Sequence, residues 1–404
     1  MLFTRVNTRR RSFAFAALAY AFAAAMVGTT LPTPLYALYA ERMHFSVLTT
    51  TVIFAVYALG VLAALLLFGR WSDVLGRRPV LLAGLAFAIA SAVVFLAADS
   101  VAMLLVGRFL SGLSAGLFTG TATAAVVEAL PTAQRERAAM VATIVNIGGL
   151  GIGPVLAGAL AEYVPHPLTL PFVVHIVLAA LAAGAVLIAP ETSPRTGRIG
   201  LQRLTVPAEV RAVFLTAATA AFAGFAVTGL FAAIAPSFVA DVVGIANHAV
   251  AGAIAGSIFL ASAVAQLAGR RIVPATAVAW GCAILVVGMV ILAVALTFSS
   301  LTGIIVAAVV AGTGQGISFS RGLAAVVEQV PAKQRGEISS TYFVVGYVAI
   351  SVPVVGVGFA AQAWGLRAAG VSFAAAVAVL SLGCLVAILL QSRHQARLSG
   401  STQA

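Results

Sequence analysis

Twelve apolar runs, each about eighteen residues or longer and holding few or no charges, succeed one another from end to end of the chain. At 1.5 Å per residue, roughly twenty helical residues cross a ~30 Å hydrocarbon layer. The runs fall near 13–39, 47–69, 79–98, 101–128, 138–160 and 168–190, then 211–236, 248–268, 274–298, 301–328, 338–361 and 369–390. Such a chain is expected to be an all-α membrane protein of twelve transmembrane helices. Its composition, 62% apolar and 8% charged with a mean hydropathy of +1.11, excludes an ordinary soluble domain. The first run is too long for a signal-peptide core and is expected to stay as a helix.

The formal charge of +12 does not point to nucleic acid, because the basic residues sit in short clusters between apolar runs. Arg and Lys number nineteen at the termini and even-numbered connections. Two, Arg42 and Arg367, lie at the odd-numbered ones, and Arg108 and Arg321 lie within spans. The positive-inside rule therefore puts both termini in the cytoplasm and requires an even number of spans. The expected location is a cell membrane, the cytoplasmic membrane of a bacterium.

Ala-Ala-Val-Val-Glu occurs at 124–128 and again at 324–328, an offset of 200. In the same register Pro131, Gln134 and Arg135 match Pro331, Gln334 and Arg335, Gly112 and Gly116 match Gly312 and Gly316, and Gly69-Arg70 matches Gly269-Arg270. Ala and Val matches are cheap in an apolar chain; Pro, Gln, Glu and Arg matches are not. Two six-helix pseudo-repeats are expected, 1–190 and 211–404, joined by a polar linker at 191–210.

Chemistry-bearing residues are few. Between the second and third runs, Gly69, Arg70, Asp73, Gly76, Arg77, Arg78 and Pro79 form a tight charged corner. Arg108 lies about 10 Å into the fourth span, where a charge normally faces a water-filled cavity and has a partner. Arg321 lies nearer the other end of the tenth. No Asp or Glu occupies the middle of any span, and His175 is expected to be a packed neutral side chain. The fifth span carries Gly149, Gly153, Pro154 and Gly158 at close-packing spacing, with Pro154 permitting a bend. The first is irregular around Thr30, Pro32 and Pro34. With Tyr20, Asn146, Thr228, Gln315 and Arg321, Thr30 completes the expected solute-contacting set.

The corner has the form G-x-x-x-D-x-x-G-R-R and, with twelve spans and a 6+6 repeat, resembles the major facilitator superfamily of secondary transporters. Trp71 and Val74 depart from the commoner form of that motif. Arg108 with Gly112 is similar to the family's helix 4 signature, and Gly149 to Gly158 to its helix 5 antiporter signature. The resemblance, to the twelve-helix drug:proton antiporter branch, implies alternating access with helices 1, 4, 7 and 10 lining the cavity. On that reading Asp73, Arg77, Arg78 and Glu128 form an ionic latch at the cytoplasmic end, and Glu328 with Arg270 repeats it more weakly, since Val273 stands where Asp73 would.

The function expected is proton-coupled export of small organic solutes or drugs. Two alternatives stay open: an uptake symporter for a small anionic metabolite, for which Arg108 and Arg321 argue, and a sensor that transports nothing. An enzyme is not expected, since the histidines show no ligand spacing and no nucleophile-base pairing. A nucleotide-driven pump would need a phosphate-cradling Gly-x-x-x-x-Gly-Lys loop, which the chain lacks. No metal or other cofactor is expected beyond a proton gradient; the partners expected are the solute and the bilayer, with no nucleic acid and the monomer as the working unit.

Overall fold

The computed structural model describes residues 2–193, 195–196, 200–331 and 334–401, with side chains described over 11–193, 195–196, 200–331 and 334–391. Arg198 and Lys333, and the side chains of Arg5, Arg9, Arg10, Arg393 and Arg397, which entered the charge count, lie outside these residues.

Twelve helices have the length and apolarity to cross a membrane, and no strand occurs among the described residues. They are α1 (Arg11–Met43), α2 (Val47–Phe68), α3 (Arg77–Leu96), α4 (Val101–Glu128), α5 (Thr132–Tyr163), α6 (Leu170–Ile188), α7 (Ala208–Val243), α8 (His248–Arg271), α9 (Pro274–Thr297), α10 (Leu301–Glu328), α11 (Arg335–Trp364) and α12 (Leu366–Gln391). Most are apolar all round, as a lipid-facing helix must be. Leu181, Trp280, Phe298 and Val379 accordingly stand exposed on the outer surface. Ends slip by a few residues from the sequence expectation where Ala-rich flanks give no contrast, but α4 and α10 end on the charged residues Glu128 and Glu328 as read.

The repeat reappears in the packing. Within the first six helices α4 packs on α2 and α3, α6 on α3 and α5 on α1; within the second six, α10 packs on α8 and α9, α12 on α9 and α11 on α7. Gly112 lies against the α2 backbone at Tyr57 and Gly60, and Gly312 against the α8 backbone at Ile258. Glycine recurs at these positions because two helix backbones touch there. The two sets meet chiefly through α5 with α8 and α2 with α11.

Prolines interrupt the ladder in α1 and α5, and in α5 a neighbouring helix compensates. In α1 the helix breaks after Thr30 and resumes as a 3-10 turn at Thr33–Leu35, buried against α5, α7 and α8. In α5, Pro154 has no N–H to give to the carbonyl of Leu150, one helical turn earlier. The hydroxyl of Thr30 donates to that carbonyl instead, at 2.8 Å. Thr30→Val keeps the shape, removes the donor and leaves a buried carbonyl unpaired, so a loss of about 1–3 kcal/mol is expected. Thermal unfolding of purified protein should show Thr30→Val well below wild type and Thr30→Ser close to it; equal midpoints for all three would refute this role.

Candidate functional site

The charged corner is built from a helix end that needs an acceptor. Gly76 sits at φ 110° and ψ 158°, a conformation that side-chain-bearing residues rarely adopt, and α3 begins immediately after it. The first N–H groups of a helix have no internal partner, and two arginines there oppose the helix dipole. Glu191, just beyond α6, supplies the missing acceptor: its carboxylate takes the N–H of Arg77 at 2.8 Å and of Arg78 at 3.2 Å, and those of Thr192 and Ser193 at 3.0 Å. Burial pushes the Glu191 carboxyl upward, but the four N–H bonds together outweigh it and hold it below its ordinary value. A methyl group at Gly76 would collide with this carboxylate.

Arg77 is the node. Its guanidinium meets Asp73 at 2.6 Å and the Ser72 hydroxyl at 2.7 Å, and forks onto both oxygens of Glu128 at 2.9 and 3.2 Å. Thr192 donates to Glu128 as well, at 2.8 Å. The arginine side chain is only 11% exposed, which makes the fork more than a headgroup-level pair. Of the two arginines considered for the latch, Arg77 joins both carboxylates; the Arg78 side chain forms no ion pair among the described residues. Every member of this network belongs to the first six helices, to the connection between α2 and α3, or to the segment directly after α6.

The second set differs. Arg270 pairs with Glu136 of α5 at 2.6 Å and not with Glu328, which has no ion pair among the described residues. In the 200-residue register Ala277 and Val278 stand where Arg77 and Arg78 do, so no guanidinium is there to receive it. Glu328 borders a cavity of about 410 Å³ beside Val273 and Val278.

Between the two sets, α5 presents two faces. Gly149 and Gly153 lie against α1, while Gly151, Pro154 and Gly158 lie against Gly252 and Gly256 of α8. The pair is tied at both ends: by Glu136 and Arg270 at the arginine-rich end, and at the opposite end by Glu162, whose carboxylate accepts the His248 N–H at 2.8 Å and caps α8.

Beside that pair lies a cavity of about 650 Å³ that reaches from mid-bundle to Gly69, Val127 and Ser339 at the arginine-rich end. Both sets line it: Thr119, Thr123, Thr143 and Asn146 with Phe68 from one, Gln266, Ser320, Ser339, Ser340, Phe319 and Phe343 from the other. Helices α4 and α10 contribute, as the resemblance implied, but α1 and α7 do not. These two are the most enclosed spans, with 72% and 83% of their most apolar stretch buried, because their alanine-rich surfaces let neighbours close over them.

Of the expected solute contacts only Asn146 lines this cavity. The Tyr20 hydroxyl donates to Leu178 of α6, Thr30 serves Leu150, Thr228 bonds back to Gly224 within α7, and Gln315 is held by Ser262 at 2.6 Å. Arg108 is 1% exposed and away from the cavity: it donates to the Thr29 carbonyl at 2.6 Å and lies over the rings of Tyr57 and Phe54, 4.5 and 5.5 Å from their centroids. Arg321 is half-buried with its Nε unpartnered among the described residues, and does not line the cavity either. His175 is buried against Gly28. Sequence reading passed over Glu191, Glu136, Glu162 and the cavity hydroxyls. The signal available for the hydroxyls was Thr119, Thr121 and Thr123 recurring within one apolar span.

Comparison with known proteins bears on what this architecture is. Over 131 residues the chain is 38% identical to the class D tetracycline resistance protein of Salmonella ordonez, covering 32% of each. Over 191 residues it is 28% identical to multidrug resistance protein 1 of Bacillus subtilis, covering 45% of this chain and 48% of that one. Over 111 residues it is 37% identical to multidrug resistance protein MdtL of Escherichia coli, covering 28% and 27%. The matches thus span between about a quarter and a half of these relatives' length. A bacterial homologue of the human lysosomal transporter Spinster, solved inward-facing and unoccupied, superposes with a TM-score of 0.72 at 15% identity, over 95% of this chain and 97% of that one. The human organic anion transporter MFSD10 does so at 0.61 and 17%, over 94% and 99%. The family profile of the Major Facilitator Superfamily matches residues 13–353, and with the twelve-helix fold this identifies the chain as a multi-pass membrane protein belonging to that superfamily of transporters.

Proposed function

We propose that the chain is a proton-coupled exporter of small organic solutes that works by alternating access. The supporting observation is the cavity between the two helix sets, which extends to one end of the bundle while α5 with α8 and the broken segment of α1 close the other. That is the geometry of one of two postures. Resistance proteins among the relatives support export of organic solutes, and the charge count supports a cytoplasmic arginine-rich end. On this reading 1–190 and 211–404 move as bodies. The linker is stitched to both: Gln202 N–H to the Leu66 carbonyl at 2.9 Å, Thr205 N–H to the Thr341 hydroxyl at 3.1 Å.

The Arg77 network then braces the corner of the first body, so that α2, α3 and α4 move together. Two packings that differ by a few kcal/mol can be biased by one such network. At the opposite end, the Glu162 cap on α8 is a contact that the second posture must give up.

In proteoliposomes an outward solute gradient should drive protons inward; solute flux without proton movement would overturn the coupling. Asp73→Asn should lower turnover at least about tenfold, equivalent to ~1.4 kcal/mol, while membrane insertion stays intact. Undiminished turnover in that variant would remove the network from the mechanism.

Glu162→Ala, which removes the acceptor, should favour opening of the far end. Thr33, 1% exposed there, supplies the probe: a cysteine at that position should react faster with an impermeant maleimide in the Glu162→Ala background, and an unchanged rate would count against the cap.

For Glu191 the sign follows from a carboxyl lowered in the folded state. Its contribution to stability is fully present above the ordinary carboxyl value of 4.5 and is lost as pH falls through the lower folded value. The wild-type advantage over Glu191→Gln in thermal unfolding should therefore be flat above about pH 5 and shrink below it. An advantage that grows on acidification would contradict the capping role.

A further inference from the structure

We propose that the central cavity selects uncharged aromatic solutes bearing hydroxyl or amide N–H donors over their cationic and anionic counterparts. This rests on reading that cavity as the solute site. Among the described residues its wall contains no Asp, Glu, Lys, Arg or His. The two arginines within spans are not in it: Arg108 is buried against Thr29, Tyr57 and Phe54, and Arg321 stands outside the lining set. A solute ion entering the cavity sheds water and meets no counter-charge, which is the costly case for any ion.

The hydroxyl geometry sets the polarity of what remains. Thr119 donates to the Ala115 carbonyl at 2.8 Å, Thr123 to Thr119 at 2.7 Å, Thr143 to Ala139 at 3.1 Å and Ser320 to Gly316 at 2.8 Å. Each of these four hydroxyls has spent its one proton on its own helix and offers the cavity only acceptor lone pairs, whereas Thr121, Ser339 and Ser340 of the same wall have no such bond among the described residues and can also donate. Asn146 has no hydrogen bond among the described residues and can both donate and accept. Lone pairs therefore outnumber the protons that the wall can give, which favours donors on the solute.

Phe343 and Phe68, both half-buried in the wall, supply flat apolar surface for an aromatic portion, with Phe319 packed edge-to-face behind Phe343 at 5.8 Å between ring centroids. Ring faces also attract cations. With no carboxylate to complete the pairing, that attraction leaves most of an ammonium's lost hydration unreplaced, and a neutral donor gains the same ring contact without the loss.

The test uses full-length protein in nanodiscs and matched phenols that differ in one group: 4-hydroxyphenylacetamide, tyramine and 4-hydroxyphenylacetate, together with the naphthol-sized homologue of each. Binding is read by calorimetry. Within each triplet the amide should bind at least about tenfold more tightly than the ammonium or the carboxylate. An ammonium or carboxylate that binds as tightly as its amide, or an absence of saturable binding by both amides, overturns the proposal.

A carboxylate added to the wall should reverse the order. Thr143→Asp on α5, or Ser340→Asp on α11 should the first not fold, should move preference toward the ammonium by about tenfold. An order that survives a folded, charged wall also overturns the proposal, because the phenols would then be binding elsewhere. Flux of the same compounds into proteoliposomes separates this inference from the transporter reading. Amides that bind but never cross would sink the transporter reading and leave the selectivity standing; flux that favours the ammonium would do the reverse.

Discussion

Hydrocarbon offers no partner to a backbone N–H or C=O, and two places where this chain departs from a straight helix show how such unmet groups are answered. Pro154 frees the Leu150 carbonyl, and Thr30 from α1 fills it. The Gly76 turn exposes the first N–H groups of α3, and Glu191 receives two of them. Residues that look like separate curiosities are thus pairs, one member creating an unmet group and the other meeting it. Because the members come from different helices, each irregularity also fastens two helices together.

Where no polar pairing is needed, small residues do the joining. Lipid tails are as apolar as leucine, so helices gain little by hiding apolar surface from them, and close backbone approach takes its place. The α5 and α8 contact depends on Gly151, Gly158, Gly252 and Gly256, and the α2 and α4 crossing on Gly60 and Gly112. This explains why the repeat is visible in glycines. Apolar side chains that face lipid can drift, whereas a position where two backbones touch accepts little else.

The spans were legible because, Arg108 and Arg321 apart, charge is confined to their ends, as the ends of α4 and α10 on Glu128 and Glu328 illustrate. The corner was legible as a unit, since its charges lie within ten residues of one another. Its partners were not. Glu191 is 114 residues from Arg77, and nothing in the local pattern says that a carboxylate after α6 will return to the start of α3. Arg108 shows the other limit. Its depth could be counted along the helix, but a helix apolar all round gives no periodicity from which to read direction. Two aromatic rings and one carbonyl enclose it where a cavity was expected. The cavity itself escaped because its polar lining is mostly threonines and serines, several of them bonded to their own helices, and these are inconspicuous among the many other hydroxyls of the chain.

The ties at the two ends of α5 and α8 are unequal, and the inequality has a direction. Arg270 and Glu136 are exposed, 36% and 86%, and an ion pair so wet contributes about 0–1 kcal/mol. Glu162 instead caps a helix whose next turns are packed backbone to backbone against α5, so that bond is backed by contact along Gly158 and Pro154. The posture seen here is therefore held closed at the Glu162 end by packing, with the cap as an addition, while at the arginine-rich end little but a surface pair spans the same two helices. On the alternating-access reading proposed above, a solute that draws the walls of the cavity together must supply the energy to unpack the glycine contact, because releasing the arginine would not.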